Sequence, residues 1–268
     1  MDKNFFIENI DNIKEICTTT AEVQIQNHEK KITYKSKSDN TPLTEIDLLS
    51  HDLITKNLKK ICDNYPIISE EGYEKDVFHD EFWIIDPLDG TRNYIDKGKN
   101  FCINISFIKD RFPVFGAIYI PYRRELYYGI GGYGSYFQDQ TGNTEKISCK
   151  NVSLDNLVLC SSSSMNPKKL DLIASNIKIV EHLEISSAIK FGILASGKGN
   201  FYPRFGPTYE WDTAAGQCIL EESGGLIVDE NFERLTYNKN SNYLNGKFFA
   251  FNGEASFWQP LISQLCDS

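Results

Sequence analysis

The 268-residue chain is short of positive charge: 28 Lys and Arg stand against 37 Asp and Glu, a formal net charge of -9. Duplex nucleic acid and anionic bilayers both select basic surfaces, so neither is expected as the main partner. Long apolar runs are missing too, and none approaches the length of a bilayer span. The first residues, Met1-Asp2-Lys3-Asn4-Phe5-Phe6, lack the basic-then-apolar order of a secretory signal. The 7 Cys include no C-x-x-C pair, which argues against a zinc knuckle and suggests no disulfide framework. These absences predict a cytoplasmic protein without a membrane span, in which the sequons at Asn104 and Asn151 are chance matches.

Familiar catalytic signatures are equally scarce. The 4 His form no H-E-x-x-H pair, and the chain has no P-loop, no EF-hand loop and no signature of a partnered Ser or Cys nucleophile. Gly129-Ile130-Gly131-Gly132-Tyr133-Gly134 satisfies the dinucleotide fingerprint in form only. A dinucleotide site needs a helix after the glycines, whereas Ser135-Tyr136-Phe137 is a strand candidate, so a hairpin turn is expected.

What is present describes a globular chain, with 41% hydrophobic and 24% charged residues. Apolar residues at Phe6, Ile10, Ile13, Ile16 and Cys17 predict a core-facing helix within 4–26. Lys31 to Lys37 reads as a strand, Ser38-Asp39-Asn40-Thr41-Pro42 as a turn, and a second helix is capped near Thr44. Asp47 falls in its first turn, where a carboxylate complements the helix dipole whether or not it does chemistry. Pro66 to Ser69 is a short strand ending in Glu70 and Glu71. Phe82-Trp83-Ile84-Ile85 is a buried strand that Pro87 and Gly90 should end, placing Asp86 and Asp89 on a sharp turn with Thr91 opening a short helix.

Phe101 to Phe137 alternates strands and turns as an antiparallel meander. The polar stretch from Thr141 to Asn151 suggests a boundary between an N-terminal subdomain, 1–148, and a C-terminal one, 149–268. Beyond it come a strand at Leu157 to Cys160, a helix from Pro167, a strand near Ile177 to Val180 and a helix opened by Ser186 to Phe191. Tyr202-Pro203-Arg204-Phe205-Gly206-Pro207-Thr208 reads as an aromatic loop of the kind that carries function. A helix should start at Asp212, for which an ordinary N-cap is the competing account.

The acids of interest are Glu70, Asp86, Asp89 and Asp212, together with the Leu88 carbonyl that a turn at Pro87 would leave unpaired. Four carboxylates gathered without cations would repel strongly, so a common site nearly requires metal, and their hard oxygens suit Mg²⁺. Two or three Mg²⁺ would bridge a phosphate and prepare a water for in-line attack. Asp47 and the Thr91 hydroxyl form a candidate dyad for that water's proton. Aspartyl-phosphate chemistry is disfavoured, because Asp86 and Asp89 are one residue further apart than Asp-x-Asp-x-Thr allows.

Pro42-Leu43-Thr44-Glu45-Ile46-Asp47, Ser69-Glu70-Glu71, Asp86-Pro87-Leu88-Asp89-Gly90-Thr91 and Trp211-Asp212-Thr213-Ala214-Ala215-Gly216 together resemble the inositol monophosphatase superfamily. The 202–208 segment and Ser187 to Phe191 resemble its 3'(2'),5'-bisphosphate nucleotidase branch. The resemblance implies an α/β fold, an αβαβα sandwich with an N-terminal antiparallel sheet and a C-terminal mixed sheet. It implies a lithium-sensitive, Mg²⁺-dependent enzyme that hydrolyses adenosine 3',5'-bisphosphate to AMP. By matching positions, Glu70, Asp86, Leu88, Asp89 and Asp212 become metal ligands, while Asp47, Glu70 and Thr91 become catalytic. Substrate would touch Glu70, Leu88, Asp89, Gly90, Thr91, Asp212 and, further out, Ser187, Lys190 and Arg204. An inositol or sugar monophosphatase, or a non-catalytic nucleotide or metal sensor, are the alternatives. The chain departs from the branch at Ser161-Ser162-Ser163-Ser164-Met165 and at Ile185, both on the substrate side.

Overall fold

A computed structural model describes residues 1–37, 41–73, 78–149, 157–238 and 242–267, so Ser38-Asp39-Asn40 of the expected turn and the Asn151 sequon lie outside the described residues. The first half contains α1 (Lys3–His28), β1 (Tyr34–Ser36), β2 (Pro42–Thr44), α2 (Glu45–Ile61), β3 (Ile67–Ser69), β4 (Glu81–Asp89), α3 (Thr91–Ile95), β5 (Cys102–Lys109), β6 (Phe112–Ile120), β7 (Glu125–Ile130), β8 (Gly134–Gln138) and β9 (Thr144–Ile147). The second contains β10 (Leu157–Ser161), α4 (Pro167–Asn176), β11 (Ile179–Glu184), α5 (Ile189–Ala195), β12 (Phe201–Arg204), β13 (Thr208–Tyr209), a 3₁₀ turn (Glu210–Asp212), α6 (Ala214–Glu222), β14 (Leu226–Asp229), β15 (Leu244–Asn245), β16 (Phe248–Phe251) and α7 (Ala255–Asp267).

Seven strands form one sheet in the order β3-β4-β5-β6-β7-β8-β9, and five form another in the order β11-β10-β12-β16-β14. Helices α1 and α2 bury Phe6, Ile13, Cys17, Ile54 and Leu58 against one face of the larger sheet. Helices α5 and α6 fill the space between the sheets, where Phe191, Leu194 and Ile219 meet Ile118 and Tyr127 on one side and Tyr202, Phe248 and Ala250 on the other. Helices α4 and α7 cover the far face of the smaller sheet through Ile173, Trp258 and Leu265. The result is the αβαβα sandwich expected. No described helix is long and apolar enough to cross a membrane.

Several local expectations need correcting. The first sheet is not wholly antiparallel, because β3 runs parallel to β4. It also continues into the polar stretch after Thr141, where β9 pairs with β8. Of the expected 202–208 loop only residues 205–207 are irregular, and 201–204 form strand β12: among the described residues, beyond the pair Leu159↔Phe201 only β16 borders it, so Pro203 sits where one flank asks for no amide. Asp212 ends a 3₁₀ turn, and α6 starts two residues later. Strand β4 does not stop at Pro87 but runs to Asp89. Asp86 faces Asn104 and Asp89 faces Cys102, three residues opposite two, so a β-bulge replaces the sharp turn.

Gly129–Gly134 is the β7–β8 hairpin, as expected. The amides of Gly132 and Gly134 do bind an anion, but it is the chain's own Glu222 carboxylate at 3.0 and 3.1 Å. Asn104 is buried with its amide committed to Asp89, so that sequon is inaccessible in the fold.

Candidate active site

The bulge puts Asp86 and Asp89 on one face of β4. Regular strand residues three apart would point to opposite faces; the extra residue removes the difference, as the pairing with Asn104 and Cys102 shows. The bulge is held from below. Buried Gln24 of α1 donates to the Pro87 carbonyl at 2.8 Å, and the Leu88 amide donates to Asp86 Oδ1 at 3.0 Å. Asp89 Oδ2 accepts from the Ala188 amide at 2.6 Å and from Asn104 Nδ2 at 3.1 Å. Asp212 arrives from the other half of the chain, its Oδ2 accepting from the Tyr209 amide at 2.8 Å. Oxygens of Asp86, Asp89 and Asp212 lie within 4.8 Å of one another.

Glu70 stands beside this trio and not within it. Its Oε1 accepts from Lys37 Nζ at 2.6 Å, and Lys37 also donates to Glu71 Oε1 at 2.7 Å. Its carboxyl also interacts with that of Asp86. Burial raises Glu70, Asp86, Asp89 and Asp212 above the usual carboxylate range; repulsion from Glu70, Asp89 and Asp212 adds to the effect at Asp86, and from Asp89 and Glu70 at Asp212. Burial and Glu70 push Glu71 up to about 7.

Asp47 caps α2 with one carboxylate oxygen and reaches Thr91 with the other. Its Oδ2 accepts from the Thr44 amide at 2.7 Å and from the Thr44 hydroxyl, closing the capping box of α2. Its Oδ1 accepts from Thr91 Oγ1 at 2.9 Å. The Leu88 carbonyl is not unpaired as expected: the same Thr91 hydroxyl approaches it at 3.1 Å. One proton serves two acceptors, so the carbonyl keeps oxygen lone-pair capacity for a further partner. Gly90, at φ +94°, supplies the left-handed turn from β4 into α3.

A cavity of about 370 Å³ opens onto Asp89 and Asp212 and is lined also by Gly90, Ser187, Lys190 and Arg204. Ser187 has φ +64°, a conformation that costs a non-glycine residue strain. Lys190 holds that turn, donating to the Ile185 and Ser187 carbonyls at 2.8 and 2.7 Å while lying 4.6 Å from the Tyr202 ring centre. Burial pushes its ammonium down to about 8. Arg204 is half-buried and donates to the Pro207 carbonyl at 3.2 Å. Ser162 and Ser163 line the cavity, on the substrate side as the sequence suggests, whereas Lys37, Gln24 and Asn104, and Arg92 and Ser186 on the cavity wall, are not assigned a role by the sequence. Of these unassigned residues, only Arg92 has a sequence signal, its place directly after Thr91.

All these donors are oxygens, buried and mutually repelling, an arrangement that a hard divalent cation relieves. A layered α/β frame with such a cluster at a bulged strand end defines the class, a metal-dependent phosphatase. The chain belongs to the inositol monophosphatase family, whose sequence profile matches residues 4–256. It is 34% identical over 228 residues to the 3'(2'),5'-bisphosphate nucleotidase CysQ of Aggregatibacter actinomycetemcomitans, covering 82% of this chain and 84% of that one. It is 33% identical over 269 residues to the CysQ of Buchnera aphidicola, covering 93% and 99%. The crystal structure of CysQ from Bacteroides thetaiotaomicron superposes with a TM-score of 0.77 at 30% identity, covering 92% and 98%.

Proposed function

We propose that the chain hydrolyses the 3'-phosphate of adenosine 3',5'-bisphosphate, giving AMP and phosphate, with Mg²⁺ held by Glu70, Asp86, the Leu88 carbonyl, Asp89 and Asp212. The carrying observation is the convergence of Asp86, Asp89 and Asp212, two of which, Asp89 and Asp212, line a cavity that Arg204 also lines. Relatives named as nucleotidases over most of the chain support the substrate. Bound Mg²⁺ supplies Lewis-acid polarisation of the phosphate and makes water a better nucleophile. Of the two or three ions expected, two would balance the charge of the four carboxylates.

The protein's own part is orientation and proton transfer. Thr91 donates to Asp47 Oδ1, so as its oxygen takes a proton from the attacking water its own hydroxyl proton passes to the Asp47 carboxylate. Burial raises the Asp47 carboxyl above its usual range, bringing it nearer the affinity a proton acceptor needs near neutrality. The water oxygen forms a bond to phosphorus as the bond to the ribose 3'-oxygen breaks, and that oxygen leaves with a proton from solvent. Gly90 and Thr91 hold the phosphate being cleaved, while Arg204 reaches the second phosphate or the nucleotide, with Lys190 and Ser187 shaping that wall.

A panel of adenosine 3',5'-bisphosphate, inositol 1-phosphate and a sugar phosphate, each assayed with Mg²⁺ and with chelator, tests this reading. The bisphosphate is expected to be preferred, with turnover lost in chelator and reduced by Li⁺. Preference for inositol phosphate would overturn the substrate; nucleotide binding without turnover of any ester would indicate a sensor. Arg204→Ala is expected to raise KM for the bisphosphate about tenfold, as for a lost charge-assisted hydrogen bond, and to leave simple monophosphates nearly unchanged.

A further inference from the structure

Helix α2 carries a second polar residue one turn after Asp47. Positions four apart share a helix face, so His51 points the same way as Asp47, toward the turn that bears Glu70 and Glu71. Its Nδ1 lies 2.8 Å from Ser69 Oγ. Ser69 is fully buried, and its hydroxyl oxygen already accepts from the Glu71 amide at 3.3 Å. The hydroxyl proton needs an acceptor, which assigns Nδ1 that role and places the imidazole proton on Nε2. The ring also lies flush on the turn: a Cβ added to Gly72 would come within 2.9 Å of His51 Cε1. The turn is closed by the Gly72 amide on the Ser69 carbonyl at 3.0 Å, and the Glu70 amide donates to Ile85 of β4 at 3.2 Å.

The geometry points to His51 as a positioning residue: as a neutral imidazole it anchors Ser69 and packs on Gly72, fixing the Glu70 carboxylate for the divalent cation and thereby setting cation affinity. This rests on the reading of Glu70 as a cation ligand. The same helix then holds both the proton acceptor Asp47 and, through His51, a ligand turn that the chain places 19 residues further on than His51. Supporting groups of this kind change metal affinity by about 10–100-fold when removed.

Isothermal titration calorimetry with Mg²⁺ alone, free of substrate, provides the test. His51→Ala and Ser69→Ala are each expected to weaken Mg²⁺ binding about tenfold, with the double variant little worse than either. His51→Asn, whose amide oxygen can accept from Ser69, is expected to restore most of the affinity. Wild-type affinity in His51→Ala, or an equal loss in His51→Asn, would overturn the role. Should His51→Ala not fold, Ser69→Ala decides alone, and full affinity there overturns it. A wild-type protein that binds no Mg²⁺ would sink the functional reading itself, an outcome distinct from binding that the variants leave untouched.

Discussion

Asp89 has the hydrogen-bond arrangement that the proposed cation site asks of it. Its Oδ2 takes the Ala188 amide and Asn104 Nδ2, with the Cys102 thiol at 3.6 Å, while no described donor engages Oδ1. Burial holds its proton affinity above the ordinary carboxylate value. Asp89→Asn keeps the shape and removes a charge, so turnover is expected to fall by at least about 10³-fold, as for loss of an interaction central to the transition state. Free of metal, the Asp89→Asn variant is expected to melt a few degrees higher than metal-free wild type, because like-charge crowding is relieved. Ordinary turnover or a lowered melting point would contradict this account. The acids were legible in the sequence because strand ends crowded with carboxylates are costly without a chemical reason. Lys37 was not, since its meaning lies in partners 33 and 34 positions away.

The bulge in β4 governs the element scale. Pro87 and Gly90 correctly mark an irregularity, but a proline can end a strand or swell it, and only the neighbouring strand decides which. Here β5 remains paired on both sides of the irregularity. Gln24 braces it from α1, with its amide shared between the Pro87 carbonyl and Ser50 Oγ at 3.0 Å. Gln24→Leu leaves that buried carbonyl without its donor and is expected to cost about 1–3 kcal/mol of stability, measured by chemical denaturation. A loss below about 0.5 kcal/mol would mean the bulge stands by itself. Pro203 misled in the opposite direction: it suggested a loop because its missing amide is harmless only on a strand with one bare flank. The start of α6 was misjudged because Asp212 caps a 3₁₀ turn through Tyr209 before the helix begins.

At the scale of the whole molecule, the sandwich was legible only through the resemblance carried by the family motifs, and the filling of its central layer by α5 and α6 depends on contacts between both halves. Those layers bury the acid cluster, and its cost should appear as pH-dependent stability. Glu70, Asp86, Asp89 and Asp212 are raised in the fold, and Glu71 to about 7. The folded chain therefore keeps protons that the unfolded chain releases near pH 4 to 4.5. Stability falls as pH climbs from there through the folded values. In chelator the melting temperature is expected to be several degrees lower at pH 8 than at pH 5.5, and Mg²⁺ at pH 8 should recover the difference. A flat profile in chelator would mean that the cluster carries no such strain.

The bulge also sets a limit on how this chain can vary. Facing depends on parity: with one residue extra opposite β5, odd spacing behaves as even, and both acids look inward. Regularising the strand at constant length would turn one of them to the opposite face with every catalytic letter still in place. Dropping a single residue between them would restore the facing but forfeit the kink that presents the Leu88 carbonyl. Composition is thus no guarantee of competence in this segment; the frame matters as much as the alphabet.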